Sequence, residues 1–251
     1  MDLNYTKIKL GNWLYKNWFA LYNFSYTRFK RKQDAFEIET LKKLIPQGSY
    51  VLDIGANIGF YSKILSEIVG HSGKIFCFEP DKTNFGHLCK NTAALKNVEL
   101  FNTAVSDKSD KINIYTSKLL NVDHRTYPVN NYDRVEEIDA VSIDDLLTQS
   151  ILPKVDFIKI DIQGYELSAF KGMLHLLKTN RALKIVTEYW PHGFKKAGTS
   201  ALEVYRFFVE LGFRISILEE GSLQPLTEEY VLENNDQPFE FFFNVLIEKK
   251  D

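Results

Sequence analysis

VLDIGANIGFYS, residues 51–62, joins an apolar, strand-like run to a glycine turn and to the start of a helix. In an α/β sheet, this arrangement opens a nucleotide site at the carboxyl end of the first strand. Gly55 and Gly59 can adopt backbone angles, or permit close approaches, that a Cβ would forbid. Asp53 lies where its carboxylate can meet a ligand ammonium or order the loop. The stretch therefore predicts a ligand site beside Gly55.

Short β-branched or aromatic runs alternate with helix-length amphipathic segments beyond this stretch, which predicts βαβ units around a parallel sheet. The predicted strands lie near Tyr50–Ile54, Lys74–Phe78, Val98–Thr103, Val155–Ile160, Leu183–Glu188, Phe213–Leu218 and within Phe239–Glu248. The last of these follows a loop with no room for a full crossover helix, so it should enter the sheet antiparallel. The expected fold is α/β, a doubly wound sheet of seven strands with the last antiparallel.

An N-terminal extension, residues 1–46, is expected to precede one domain, residues 47–251. Its first 33 residues carry seven Lys or Arg and one acid, interleaved with aromatic residues. Such an arm fits a helical cover on the core, a lid over the ligand site, or a segment resting on an anionic membrane surface. Asp34 and Glu37 resemble a capping box for a helix that ends near Ile45, before Pro46.

The alternation breaks between residues 106 and 147, where an insertion is expected. KINIY, residues 111–115, predicts an additional strand, and NVDHRTYPVNNYDRVEE, residues 121–137, predicts a polar, irregular segment. Insertions at such points usually shape a binding site.

Overall charge gives no general attraction to nucleic acid or to membranes, because 31 Lys and Arg oppose 33 Asp and Glu. Cys77 and Cys89 are too few and too unpatterned for a disulfide framework or a zinc site. The sequence shows neither a signal-peptide pattern nor a run of apolar residues long enough to span a bilayer. A soluble protein in a reducing cytoplasm is expected, whereas the oligomeric state is left open.

The spacing of the glycine turn bears on the type of nucleotide. A dinucleotide fingerprint has a second glycine where the backbone approaches the pyrophosphate, and Asn57 occupies that position here. A cofactor with a ribose and a cationic amino-acid tail needs no such approach. S-adenosylmethionine is therefore the expected cofactor.

FCFEP, residues 76–80, ends a predicted strand in Glu79, at the spacing from Gly55 where an acid reaches ribose hydroxyls. After the third strand, Ala104 and Val105 offer flat apolar contact to an adenine, and Asp107 offers an acceptor for its amine. Taken alone, Glu79 has an alternative interpretation, in which it ends the strand in solvent and binds no ligand.

Asp161 ends the fourth predicted strand and should lie on the rim of the site, beside the cofactor and the reacting centre. Lys159 shares its face of the strand, so a structural salt bridge or a helix cap is the alternative.

These motifs together resemble the FkbM family of S-adenosylmethionine-dependent methyltransferases. They follow in family order as VLDIGANIGFYS, FCFEP, NTAVSD, VSIDDLL, FIKIDIQGYELSAFKGM and VTEYWP, over roughly residues 50–188. The resemblance implies a class I methyltransferase fold and O-methylation of sugars or secondary metabolites. It also implies cofactor contacts from Asp53, Gly55, Asn57, Gly59 and Glu79, and places Asp161, Gln163 and Glu166 around the reacting centre. Many relatives have Glu in place of Gln163, so no catalytic role passes to that residue.

A hydroxyl acceptor requires a base near the carboxyl ends of the strands. The candidates are His124, Asp161 and Glu188, with His124 first because an ordinary histidine pKa of about 6.5 suits proton removal near neutrality. Arg125 is expected to orient the substrate, as is Asp123. Asp123, His124 and Asp161 are also a conceivable cation site, but no ligand spacing singles out a metal, and none is predicted.

Three other functions are open. A nucleotide-dependent oxidoreductase is disfavoured by Asn57 and lacks a nicotinamide-site motif. A nucleic-acid methyltransferase would suit the basic, aromatic N-terminus, but the sequence lacks NPPY-like or Pro-Cys motifs. A non-catalytic module that binds S-adenosylmethionine is disfavoured by the intact acids Asp53, Glu79 and Asp161.

Overall fold

The computed structural model describes residues 11–117, 124–125, 132–219 and 222–250. Its strands are β1 (Tyr50–Ile54), β2 (Lys74–Phe78), β3 (Val98–Phe101), β4 (Ala104–Val105), β5 (Asp110–Ser117), β6 (His124–Arg125), β7 (Tyr132–Val141), β8 (Phe157–Ile160), β9 (Lys184–Tyr189), β10 (Phe213–Glu219), β11 (Ser222–Pro225) and β12 (Phe243–Lys249).

The described helices begin with α1 (residues 11–17) and continue with α2 (Phe19–Gln33), α3 (Ala35–Leu44), α4 (Phe60–Val69), α5 (Lys82–Thr92), α6 (Ile143–Thr148), α7 (Glu166–Lys171), α8 (Leu174–Thr179), α9 (Pro191–Lys196), α10 (Ala201–Glu210) and α11 (Glu228–Glu233). Within the described ranges, no helix combines the length and apolar character needed to cross a membrane.

The central sheet has the strand order β11-β10-β12-β9-β8-β1-β2-β3. β1 pairs in parallel with β2 on one side and with β8 on the other, so the strand order reverses there. Ligands bind at such a switch point, outside the carboxyl ends of the strands. The doubly wound α/β fold is thus confirmed, with the predicted ligand site at its switch point.

The end of the sheet matches the sequence in one respect and differs in another. β12 is antiparallel to both β9 and β10, as predicted for the last strand. The predicted count of seven strands was wrong, because β11 adds an antiparallel edge strand to β10. All four residues of β11 are exposed and the last is Pro225. No alternation of buried apolar and exposed polar residues therefore marks this segment as a strand in the sequence.

The insertion forms a second sheet with the order β4-β7-β5-β6. The predicted strand at KINIY is confirmed as part of β5. The expectation of an irregular segment over residues 121–137 was wrong where the chain is described, since β6 and β7 both pair with β5. Among residues 135–141 of β7, the part whose burial is described, only Ile138 and Ala140 are buried, together with Ala104, so this part shows no strong apolar period.

Helices cover both faces of the central sheet because successive strand residues point to opposite sides. On one face, buried residues of α3, α4 and α5 join those of β1 and β2; these are Leu41, Leu65, Leu88, Val51 and Ile75. On the other face, α7, α8 and α10 contribute to a larger cluster with Leu52 and Phe76; these are Phe170, Leu177 and Phe208.

The N-terminal arm, residues 11–33, packs on α4 and α5. Tyr15 is buried and donates its hydroxyl hydrogen to Asn84 Oδ1. Phe19 stacks on His87, with ring centroids 3.4 Å apart, and Tyr26 contacts Phe60 edge to face. One side of the arm is therefore a cover on the core.

The predicted helix after residue 34 is confirmed as α3, but the predicted capping box was wrong. The Asp34 side chain makes no cap hydrogen bond. It accepts instead from Tyr61 Oη at 2.7 Å and pairs with Lys30 Nζ at 2.8 Å. Glu37 Oε2 accepts from Asn244 Nδ2 at 2.9 Å. Both carboxylates therefore bind side chains from other elements rather than backbone N–H groups at the start of α3.

Two glycines provide a matched test of this packing. A Cβ at Gly172 would overlap the Ser106 carbonyl oxygen, whereas a Cβ at Gly86, inside α5, would meet nothing within 4 Å. We expect Gly172→Ala to lower the free energy of unfolding by about 1–3 kcal/mol through overpacking. Gly86→Ala should raise it by about 0.5–1 kcal/mol, because alanine is the better helix former. Urea denaturation measures both, and a neutral Gly172→Ala would contradict the close approach.

Candidate active site

A first cavity lies at the switch point, among β4 and the loops that follow β1, β2, β3 and β8. It is lined by Ile54, Gly55, Asn57, Phe78, Glu79, Pro80, Asn84, Thr103, Ala104, Val105, Asp161, Ile162, Gln163 and Tyr165. Six of the predicted cofactor residues thus meet in one place, and they are Gly55, Asn57, Glu79, Ala104, Val105 and Asp161.

Glu79 fixes the glycine loop within this cavity. Its Oε2 accepts from the Asn57 backbone N–H at 2.8 Å, and its Oε1 accepts from the Asp81 backbone N–H at 2.9 Å. The side chain is 5% exposed. Burial raises the pKa of Glu79 to about 8, although these two hydrogen bonds oppose the rise. Each oxygen keeps a further lone pair for a ligand donor.

The glycine loop also presents an unsatisfied acceptor. Asn57 Oδ1 is buried without a hydrogen-bond partner among the described residues. Asn57 has φ 51°, and Gln163, on the facing loop, has φ 57°, a region that non-glycine residues rarely adopt. Strained residues of this kind cluster at ligand sites.

The lining fits S-adenosylmethionine in its donors and acceptors. Glu79 can accept from the ribose hydroxyls, and Asn57 Oδ1 is an acceptor that an ammonium can satisfy. Ala104 and Val105 are buried and offer the flat apolar wall that an adenine requires.

The other predicted cofactor residues do not line the first cavity. Asp53 is buried and accepts from Ser62 Oγ at 2.6 Å; burial raises its pKa. It lines a further cavity together with Gly55 and Lys159. A Cβ at Gly59, which has φ +85°, would press on Leu88. Asp107 is exposed and accepts from Ser106 Oγ at 3.0 Å. Their predicted cofactor contacts remain predictions.

A second cavity of about 330 Å³ adjoins the first. Its lining is Tyr26, Lys30, Gln33, Asp34, Glu37, Asn57, Tyr61, Lys159, Ile160, Asp161, Gln163, Val186, Thr187, Glu188, Phe239, Phe242 and Asn244. Asn57, Asp161 and Gln163 line both cavities, so a ligand in either one meets the same three side chains.

A carboxyl pair lies where the two cavities meet. Gln163 Nε2 donates to Asp161 Oδ1 at 2.9 Å and lies 3.5 Å from Glu188 Oε2. Burial, reinforced by the charges of Asp161 and Glu166, raises the pKa of Glu188 to about 9. Two carboxyl groups that share one site favour keeping a proton on one of them.

Lys159 is the buried cation of this site and is 6% exposed. Its Nζ lies 3.9 Å from the centroid of the Tyr61 ring. Burial alone would lower the pKa of Lys159, but the charges of Glu37, Asp161 and Asp53 outweigh burial and raise it. The sequence suggested a salt bridge between Lys159 and Asp161 as the alternative role. Asp161 is one of several carboxylates that act on Lys159, so the pair is part of a larger charged cluster.

Several residues of the second cavity escaped the sequence analysis. Four of them, Tyr26, Lys30, Phe242 and Asn244, come from segments far apart in sequence, and no local motif marks them as site residues. Tyr61 lies within the quoted stretch of residues 51–62, but nothing in that stretch marks its side chain as part of a cavity wall. The spacing of Asp34 and Glu37 did stand out in the sequence, but it indicated a helix capping box rather than a site.

The remaining predicted site residues have other placements. His124 and Arg125 form β6, opposite Thr116 and Tyr115 of β5, and Asp123 lies outside the described residues. Glu166 is buried outside both cavity linings and accepts from the Ile162 backbone N–H at 3.0 Å. Their predicted roles remain predictions. No group of His, Cys, Asp and Glu side chains in the described ranges is arranged to hold a metal ion.

Comparison with solved structures supports the fold. The crystal structure of a methyltransferase FkbM from Methylobacillus flagellatus aligns with a TM-score of 0.50 at 17% identity, over 79% of this chain and 43% of that one. A precorrin-6y C5,15-methyltransferase from Geobacter metallireducens aligns with a TM-score of 0.51 at 14% identity, over 87% and 89% of the two chains. At these identities the likeness shows the fold alone, a class I methyltransferase fold.

Curated relatives are similar over about half of this chain. A hexuronic acid methyltransferase, AglP, of Haloferax volcanii is 29% identical over 128 residues, 51% of each chain. A 2-O-methyltransferase, NoeI, of Sinorhizobium fredii is 26% identical over 155 residues, 55% of this chain and 62% of that one. The chain therefore spans about half to three fifths of these relatives.

The sequence match to a family is broader. Residues 53–215 match the methyltransferase FkbM domain, well over half of the chain, and this span holds the glycine loop, Glu79, Asp161 and Glu188. The chain belongs to the FkbM methyltransferase domain family.

Proposed function

We propose that this protein is an S-adenosylmethionine-dependent O-methyltransferase that acts on a hydroxyl group of a sugar, a glycan or a small secondary metabolite. The observation that carries the proposal is the pair of adjoining cavities that share Asn57, Asp161 and Gln163. In this arrangement the first cavity holds the cofactor and the second holds the acceptor. Family membership and the sugar-related and O-methyl names of the two curated relatives support it.

The alternatives are less well supported. An oxidoreductase would require a pyrophosphate close to the glycine loop, where the Asn57 side chain stands instead of a hydrogen. A non-catalytic binding module would have no use for a strained Gln163 between two carboxyl groups at the junction of the cavities.

S-adenosylmethionine supplies a methyl group already activated on a sulfonium, so the protein mainly aligns the reactants, a contribution that can reach about 7–11 kcal/mol. Glu79 and Asn57 hold the cofactor side. Asp161 and Gln163 stand at the junction and orient the acceptor hydroxyl. Glu188 lines only the second cavity, so it is placed to take the hydroxyl proton.

Glu188 therefore replaces His124 as the first candidate for the base, because its side chain faces the second cavity together with Asp161. His124 remains the second candidate.

The cofactor assignment predicts binding of S-adenosylhomocysteine and no binding of NAD. Glu79→Ala should weaken S-adenosylhomocysteine binding by about 1–3 kcal/mol, because a charged or strongly polar acceptor is lost from the ribose. Glu99→Ala is the control, since Glu99 pairs with Lys74 on the exposed end of the sheet. Titration calorimetry measures all of these, and NAD binding of equal strength would contradict the assignment.

The base assignment predicts a pH profile. Glu188 accepts a proton only when it is ionised, and its pKa is raised to about 9. The rate of methyl transfer should therefore rise from neutral pH towards pH 9 and then level off. Glu188→Gln should remove this rise and lower the rate about 10²–10⁴-fold, with cofactor affinity nearly unchanged.

Asp161→Asn and His124→Ala are the comparison variants for that experiment. Asp161→Asn should lower the rate and keep a rise with pH, but shifted to lower pH, because the Asp161 charge helps to raise the Glu188 pKa. A profile that survives Glu188→Gln and disappears in His124→Ala would move the base to the insertion.

Contact with an anionic membrane surface is a further part of the proposal. The arm buries one side, but Trp13, Trp18, Leu21, Phe24 and Phe29 are 48–68% exposed. Its exposed cations are Lys16, Arg28, Arg31 and Lys32, and residues 11–33 include no acid. Exposed Trp and Phe beside cations favour the interface of an anionic bilayer.

Vesicle flotation tests this contact. The full chain should float with equimolar phosphatidylglycerol and phosphatidylcholine, and not with phosphatidylcholine alone, because each cation near an anionic surface contributes about 1 kcal/mol. Leu21→Ser with Phe24→Ser should reduce flotation. Leu223→Ser with Leu232→Ser, equally exposed but on the opposite end of the chain, should not. Equal flotation of both double variants would rule out the arm as the contact.

A further inference from the structure

Both the family-matched residues 53–215 and the segments on either side of them line the second cavity. Eight of its 17 lining residues lie outside the match, in α2, in α3, at the residue between them and in the segment of residues 239–244. The other nine lie within the match and include Lys159, Asp161 and Glu188. The acceptor walls therefore combine the matched domain with both flanking parts of the chain.

Charge is the distinctive property of this lining. Four carboxyl groups, those of Asp34, Glu37, Asp161 and Glu188, face two ammonium groups, those of Lys30 and Lys159. With one proton retained by the Asp161 and Glu188 pair, three negative charges still oppose two positive charges. The lining is net negative.

Both ammonium groups are already engaged by groups of the protein. Lys30 Nζ lies 2.8 Å from Asp34 Oδ2. Lys159 Nζ lies over the Tyr61 ring and is surrounded by the charges of Glu37, Asp161 and Asp53. A carboxylate on a ligand would have to displace one of these partners to gain a cation.

Hydroxyl groups meet a different environment in the same cavity. Carboxylate oxygens accept hydrogen bonds, and an alcohol donates them, so an acid-rich wall suits a ligand with several hydroxyls. Phe239 and Phe242 line the same cavity with rings that are 46% and 54% exposed. Such rings offer flat apolar area against the C–H face of a saturated ring.

We propose that the second cavity admits an uncharged, hydroxyl-bearing ring and excludes the same ring carrying a carboxylate, and that Glu37 makes this selection. The inference rests on the proposed function of the second cavity as the acceptor site. Glu37 is well placed for the role because Asn244 fixes its Oε2 at 2.9 Å, so its charge stays in the wall.

Matched acceptors test the selection. The full chain is supplied with isotope-labelled S-adenosylmethionine and with pairs of methyl hexosides and methyl hexuronides that differ only in a hydroxymethyl group or a carboxylate. Label transfer is followed by mass spectrometry. Since a like charge at close range in a partly buried site is strongly unfavourable, we expect kcat/KM to favour the uncharged member of a pair by roughly tenfold or more.

Two variants on helix α3 each remove one negative charge. Together they separate the effect of a charge in the cavity wall from the effect of the protein's overall charge. Glu37→Gln should reduce the kcat/KM preference for the uncharged acceptor roughly tenfold, mainly by lowering the KM of the hexuronide. Glu39→Gln removes the same charge from an exposed side chain that pairs with Lys42, and it should leave the preference unchanged. Should Glu37→Gln fail to fold, Asp34→Asn takes its place, with the same expectation.

Three results would overturn the inference: a preferred hexuronide in any pair, no transfer to any uncharged hexoside, or an unchanged preference in the wall variant. Calorimetry with S-adenosylhomocysteine keeps these results distinct from failure of the proposed function. A protein that binds this cofactor product but selects the hexuronide refutes only the acceptor inference. A protein that does not bind it refutes the proposed methyltransferase.

Discussion

The close approach of two loops at the strand switch point is the constraint on which the site depends. The Asp161 backbone N–H donates to the Ile54 carbonyl at 3.0 Å, which extends the pairing of β1 with β8. This brings the Asp161 carbonyl against Gly55, which has φ +82° and no room for a Cβ. Asp161 is thereby held between the two cavities, where a looser junction would separate cofactor from acceptor.

Around this junction the protein buries several ionisable side chains. Asp53, Glu79, Lys159 and Glu166 are each 1–6% exposed. Burial of charge is costly unless hydrogen bonds and opposite charges compensate it. Ser62, backbone N–H groups and the carboxylates around Lys159 supply most of that compensation. Clusters of perturbed ionisable groups in a cleft are typical of functional sites rather than of cores.

The two cavities differ in how the chain builds them. The first arises mainly from loops that directly follow the neighbouring parallel strands β8, β1, β2 and β3. The second needs both ends of the chain, as the hydrogen bond between Glu37 and Asn244 shows, since it joins residues 207 positions apart. The N-terminal helices contribute to both cavities, since Tyr15 of the arm donates to Asn84 in the first lining and α2 and α3 supply part of the second lining.

The sequence by itself determined the doubly wound fold, the antiparallel last strand and the grouping of Gly55, Asn57, Glu79 and Asp161, because strand periodicity and glycine turns are local signals. Exposed β11 and the weakly apolar β7 gave no such signal. Tertiary structure alone decided the second cavity. A carboxylate near a helix start looks like a cap in sequence, but Asp34 and Glu37 found stronger partners in Tyr61, Lys30 and Asn244. Those partners come from distant segments, and only packing of the arm and the last strand against the sheet brings them together.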